Sequence, residues 1–145
     1  MGKATAGMAE RSTPAIRMDE ILFHPPLVHF PIAFFVLEFI LLGLWFRRGD
    51  PAYRRFALFS FRLGYGLILP TMIAGLVDAQ GLPPMVRPHF LSALSLFLLS
   101  TVRAFQWRFQ RREGRKGAAF LLAGSLLTCL VVGVTGYFGG KLAFE

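Results

Sequence analysis

The side chains best placed to do chemistry are three histidines, His24, His29 and His89, the only ones in 145 residues. An imidazole at the mouth of an apolar helix is costly to desolvate and calls for a partner such as a metal, a haem or a carboxylate. His24 and His29 fall within residues 24–31 (HPPLVHFP), which also hold three of the nine prolines and open the first long apolar run. His89 opens the third. His29 and His89 each lie within about one turn of a helix start, so their depths match. In an up-down bundle, helices 1 and 3 are parallel and can face each other across the core. Two metal–imidazole bonds of about 2 Å each would then bind one haem iron in trans, with the nitrogens about 4 Å apart. The competing reading has both rings bonded to backbone groups or interfacial water. Residues five apart on a helix lie roughly 140° apart, so His24 and His29 would not share a face. The prolines between them put His24 in an extended lead-in. There it could bond a haem propionate, substitute as a ligand or sit among lipid headgroups.

Other polar residues divide between that end and the membrane interior. Asp78, at the end of the second apolar run, could orient a ligating imidazole by accepting its second N–H, or pair with Arg87 across a short loop. His24, His29, His89 and Asp78 could instead hold a bare metal ion, although no compact ligand spacing supports one. Glu38 lies about 12 Å and Arg62 about 9 Å deep, counted at 1.5 Å per residue. Adjacent antiparallel helices bring those depths together, and charges there are paired within the bundle, so a Glu38–Arg62 ion pair is expected, with a proton relay as the sharper alternative. Ser125, Cys129, Gly133, Gly136 and Gly140 recur at helical spacing on the fourth run. They form a smooth face for close helix packing or for a flat macrocycle. Cys129 is the single cysteine, which rules out an internal disulfide, and no C-x-x-C-H, Walker or H-E-x-x-H motif is present.

Four continuous apolar runs position these residues: about 26–46, 56–79, 88–107 and 117–138. Pro26 suits a first helical turn, while Pro31 and Pro70 fall inside helices and should bend them. Continuous rather than alternating apolar sequence excludes a membrane barrel. A hydrophobic fraction of 54% and a mean hydropathy of +0.54 agree with a membrane chain. The net charge of +8 is a topology signal and not a nucleic-acid footprint. Arg47, Arg48, Arg54 and Arg55 lie between runs one and two, and Arg103, Arg108, Arg111, Arg112, Arg115 and Lys116 between three and four. The positive-inside rule then puts both termini and all three histidines on the outer side. Residues 1–23 are polar, lack the apolar stretch of a signal peptide and read as a fraying tail.

The segment HPPLVHFPIAFF, together with AGLVDA (residues 74–79), His89 and the closing GYFGGKLAFE, resembles a bacterial family of uncharacterised four-span membrane proteins. Related domains occur beside c-type cytochrome domains, so the resemblance implies a redox setting and no particular activity. The expected fold is an all-α integral membrane protein, a four-helix antiparallel bundle over residues 24–145 with both termini periplasmic. The leading expectation is an electron-transfer subunit of the bacterial inner membrane resembling a b-type cytochrome. It would hold haem b between His29 and His89, in contact with lipid and with a c-type cytochrome or other redox subunits. A structural or assembly subunit of a larger redox or photosynthetic-type complex is the main rival, and a small metal-handling or transport protein the third.

Overall fold

The computed structural model describes residues 24–110 and 114–144. Expectations for residues 1–23, Arg111 and Arg112 lie outside the described residues. Four helices follow one another: α1 (His24–Arg48), α2 (Pro51–Asp78), α3 (Arg87–Phe109) and α4 (Gly114–Phe144). Each is long and apolar enough to cross a bilayer. Only 22% to 33% of each apolar window is buried inside the bundle, so most of the apolar surface faces outward, as lipid as solvent requires.

The helix ends follow from local chemistry. His24 is the first residue of α1 and not part of an extended lead-in. Pro25 and Pro26 occupy the first turn, where a missing N–H leaves no bond unmade, and the His24 N–H is taken by an Asp78 carboxylate oxygen at 2.8 Å. The α1–α2 turn is made by Gly49 at φ +74° and by Asp50, whose side chain accepts the Ala52 N–H at 2.8 Å ahead of helical Pro51. The far end of α2 closes with two bonds, Gly81 N–H to the Leu76 carbonyl and Gln80 N–H to the Val77 carbonyl, with Gln80 left-handed at φ 51°. That is a Schellman closure, and it delivers the chain to α3 within eight residues, 79–86. Both α1 and α2 continue as helix through Pro31 and Pro70. Helix α4 passes position 138, the expected end of the fourth run, and continues to Phe144.

Around the bundle α1 packs on α2 and α4, α3 packs on α4, and the α2–α3 seam is the thinnest. Helices α1 and α3 therefore stand diagonally opposite. Phe35, Leu42, Ala57, Phe61, Leu121 and Trp107 fill the core between them. On α4 the buried stripe is Ala118, Leu121, Ser125, Thr128, Val132 and Thr135. Those steps of three and four residues are those of one helix face.

Candidate ligand-binding site

A cavity of about 670 Å³ opens at the end of the bundle where α1 and α3 begin, lined by all four helices and almost wholly apolar. All three histidines line it. The ring that meets His89 is His24, not His29: the two centroids are 5.8 Å apart and the planes nearly perpendicular, at 80°. His29 lies exposed, and its Nδ1 donates to the Pro25 carbonyl of its own helix at 2.7 Å. The expected His29–His89 pairing is thus replaced by a His24–His89 pairing. Helical geometry explains the exchange: with His24 inside α1, the rotation that separates it from His29 turns His24 inward and His29 toward the rim.

The two inner rings are held alike. His24 Nδ1 bonds the Thr71 carbonyl of α2 at 2.9 Å, and His89 Nδ1 bonds the Thr135 carbonyl of α4 at 3.1 Å. A carbonyl has no proton to give, so Nδ1 carries one on both rings, and in the neutral form of such a ring Nε2 keeps its lone pair. No described residue hydrogen-bonds either Nε2. Glycines make room for the rings: a Cβ on Gly75 would stand 2.9 Å from His24 Cε1 and Nδ1, and one on Gly139 would stand 3.1 Å from His89 Cε1. The sequence reading missed Thr71, Thr135, Gly75 and Gly139, because a backbone carbonyl acceptor leaves no mark in residue type.

Asp78 does not pair with Arg87, which is exposed. Its carboxylate caps α1 through the His24 N–H, where negative charge also meets the positive end of the helix dipole. It thereby anchors the residue whose ring enters the cavity. No cluster of three or more His, Cys, Asp or Glu side chains suited to a bare metal ion occurs among the described residues.

Deeper in the bundle, Glu38 is fully buried and its partner is Arg103, not Arg62. The two guanidinium nitrogens grip the two carboxylate oxygens at 2.8 and 2.7 Å. Trp107 Nε1 donates to Glu38 Oε1 at 3.0 Å and Ser125 Oγ to Oε2 at 3.3 Å. The guanidinium also lies over the Phe61 ring, 5.0 Å from its centroid, and reaches Thr128 Oγ1 at 3.3 Å. Depth matching alone pointed to Arg62, which proves to sit on the exposed face of α2. Arg103, which its charge groups with the basic connection after run three, lies within α3 and turns into the core.

On α4 the expected smooth face divides. Ser125 is buried and Cys129 Sγ approaches the Phe35 carbonyl at 3.8 Å. A Cβ on Gly133, Gly136 or Gly140 would meet nothing within 4 Å, so these three do not mark close helix packing. Gly136 and Gly140 instead line the cavity.

Four apolar spans enclosing a histidine-lined cavity at one end and a bidentate ion pair in the core define a small multi-pass membrane protein with a polar site built into its bundle. The chain belongs to the family described as "Predicted membrane protein (DUF2231)", whose model matches residues 20–145. No curated protein and no solved structure matches the chain.

Proposed function

We propose that this protein is an electron-transfer subunit of a bacterial cytoplasmic membrane, resembling a b-type cytochrome and holding one haem in the cavity between His24 and His89. One observation carries the reading: two imidazoles 5.8 Å apart share an apolar cavity, each with Nδ1 committed to a carbonyl and Nε2 left with a free electron pair. Two metal–imidazole bonds of about 2 Å would separate ring centroids by about 6 Å, which agrees with that spacing. An outer partner on the second ring nitrogen is the usual support of a ligating histidine. The cavity volume, about 670 Å³, lies within the roughly 300–1,000 Å³ of cofactor sites. When bound, a haem would supply one-electron chemistry, and the His24 and His89 imidazoles that would hold it, with the apolar surroundings, would set its potential. The chain's own part is to hold the two rings, exclude water with the apolar lining and fix the site near one membrane face.

The arginines at the opposite end orient the bundle with that end in the cytoplasm and the histidine end toward the periplasm. A c-type cytochrome is the partner that this orientation favours. The rival reading, a structural or assembly subunit, draws on the same bonds, because His24 ties α1 to α2 and His89 ties α3 to α4. It leaves the cavity and both Nε2 atoms without a use.

The test is the absorption spectrum of protein purified from a haem-replete host. Low-spin bands that sharpen into α and β peaks on reduction are expected, and His24→Ala or His89→Ala should each abolish or convert them, while His29→Ala leaves them in place. Protein that carries no haem, and takes up none on reconstitution, would return the structural reading.

A further inference from the structure

The two halves of the bundle repeat. His24 and His89 stand at the same offset as Glu38 and Arg103, which are 65 positions apart. That offset carries the whole buried stripe of α1 (positions 31, 35, 38, 42 and 45) onto buried positions 96, 100, 103, 107 and 110. An offset of 64 likewise carries buried positions 57, 61, 64, 68 and 71 of α2 onto buried positions 121, 125, 128, 132 and 135 of α4. Thr71 falls on Thr135 and Gly75 on Gly139. The bonds repeat with the residues. Each histidine reaches a threonine carbonyl 47 or 46 residues along the chain, and each threonine hydroxyl bonds the carbonyl four residues before it, Leu67 at 2.7 Å and Val131 at 2.9 Å. Each ring edge bearing Nδ1 and Cε1 then lies on a glycine four residues beyond the threonine.

We propose that the bundle is a duplicated helical hairpin, and that each hairpin builds one half of the ligand site as a His–Thr–Gly clasp. Thr71 and Gly75 position His24; Thr135 and Gly139 position His89. The clasps fix both rings as Nδ1–H tautomers and present two equivalent Nε2 lone pairs across a pseudo-two-fold axis. The tautomer narrows the ligand class. Two nitrogens with free electron pairs in one apolar cavity suit the metal centre of a flat apolar cofactor, and they offer no proton with which to hold a quinone carbonyl. This deepens the haem reading and rests on it for the identity of the ligand, but not for the clasps themselves. The same axis passes between Glu38 and Arg103. Two copies of one hairpin would place like charges there, so the opposite charges make the two halves obligate partners of each other.

The clasps are read without haem. In full-length, haem-free protein with ¹⁵N-labelled histidine in micelles, two-bond N–H correlation spectra report which ring nitrogen is protonated. His24 and His89 should both be neutral with the proton on Nδ1. Gly75→Ala should displace His24 alone and Gly139→Ala His89 alone, each moving the affected ring toward the Nε2–H form. Gly133→Ala, where a Cβ meets nothing within 4 Å, should change neither ring. Helical circular dichroism checks that each variant is folded. With added haemin, the two clasp variants should each weaken binding about 10- to 100-fold, and by similar factors. Nε2–H on either ring of the parent protein, or a Gly75→Ala spectrum like that of Gly133→Ala, overturns the clasps. Nδ1–H on both rings in protein that binds no haemin upholds the duplicated clasps and removes the haem assignment.

Discussion

Replacing Arg103 with leucine tests the core of the bundle most directly. The side chain is 2% exposed and that of Glu38 0%, so bulk water screens neither charge. The change removes two charge-assisted bonds of 2.8 and 2.7 Å, each worth about 1.5–3 kcal/mol. Glu38 keeps only Trp107 and Ser125. Against this, leucine relieves the buried Arg103 Nε, which has no hydrogen-bond partner, and needs no desolvation of a cation. The balance for losing one side of a buried pair is about 3–5 kcal/mol, on the order of a hundred- to a few thousandfold in the folding equilibrium. Removing both sides, Glu38→Leu with Arg103→Leu, should recover much of that loss, because no charge is then left stranded. Reversible unfolding in mixed micelles, monitored by Trp fluorescence and circular dichroism, measures all three variants. Arg62→Leu is the control and should shift the curve little, since Arg62 lies on the exposed face of α2. If the double variant is as unstable as the sum of the single ones, or Arg62→Leu costs as much as Arg103→Leu, the assignment of the pair is wrong.

Three further outcomes are expected. Asp78→Ala removes the acceptor for the His24 N–H and should cost about 0.5–2 kcal/mol by the same unfolding assay, whereas Arg87→Leu should leave the curve nearly unmoved. Gly81 sits at φ +116°, so Gly81→Ala should destabilise by at least about 1 kcal/mol even though a Cβ there meets no atom. In a Cys129→Ala background, Leu82→Cys should react with an impermeant thiol reagent added to the periplasm and Ala52→Cys should not; the reverse pattern would invert the proposed orientation.

How far the sequence reaches is clearest at particular residues. The four spans were legible because bilayer thickness demands long continuous apolar runs, and the histidine-bearing end followed from alternating direction alone. The helix ends were less so. Sequence placed His24 outside α1 because two prolines follow it, but prolines in a first turn give up no bond, and the N–H of His24 finds its acceptor 54 residues away. Glu38 was recognisable as a buried charge needing a partner. Counting depth chose the wrong arginine, because depth fixes height in the bundle while pairing also depends on which way each helix is turned. That rotation is set by packing across the bundle, with Phe61 under the Arg103 guanidinium and Trp107 and Ser125 against Glu38. The same applies at the cavity. Span direction put three histidines at one end, and only the tertiary structure chose His24 and His89 over His29, because the carbonyls of Thr71 and Thr135 come within reach of the rings, and the space above Gly75 and Gly139 forms, only once the helices have docked.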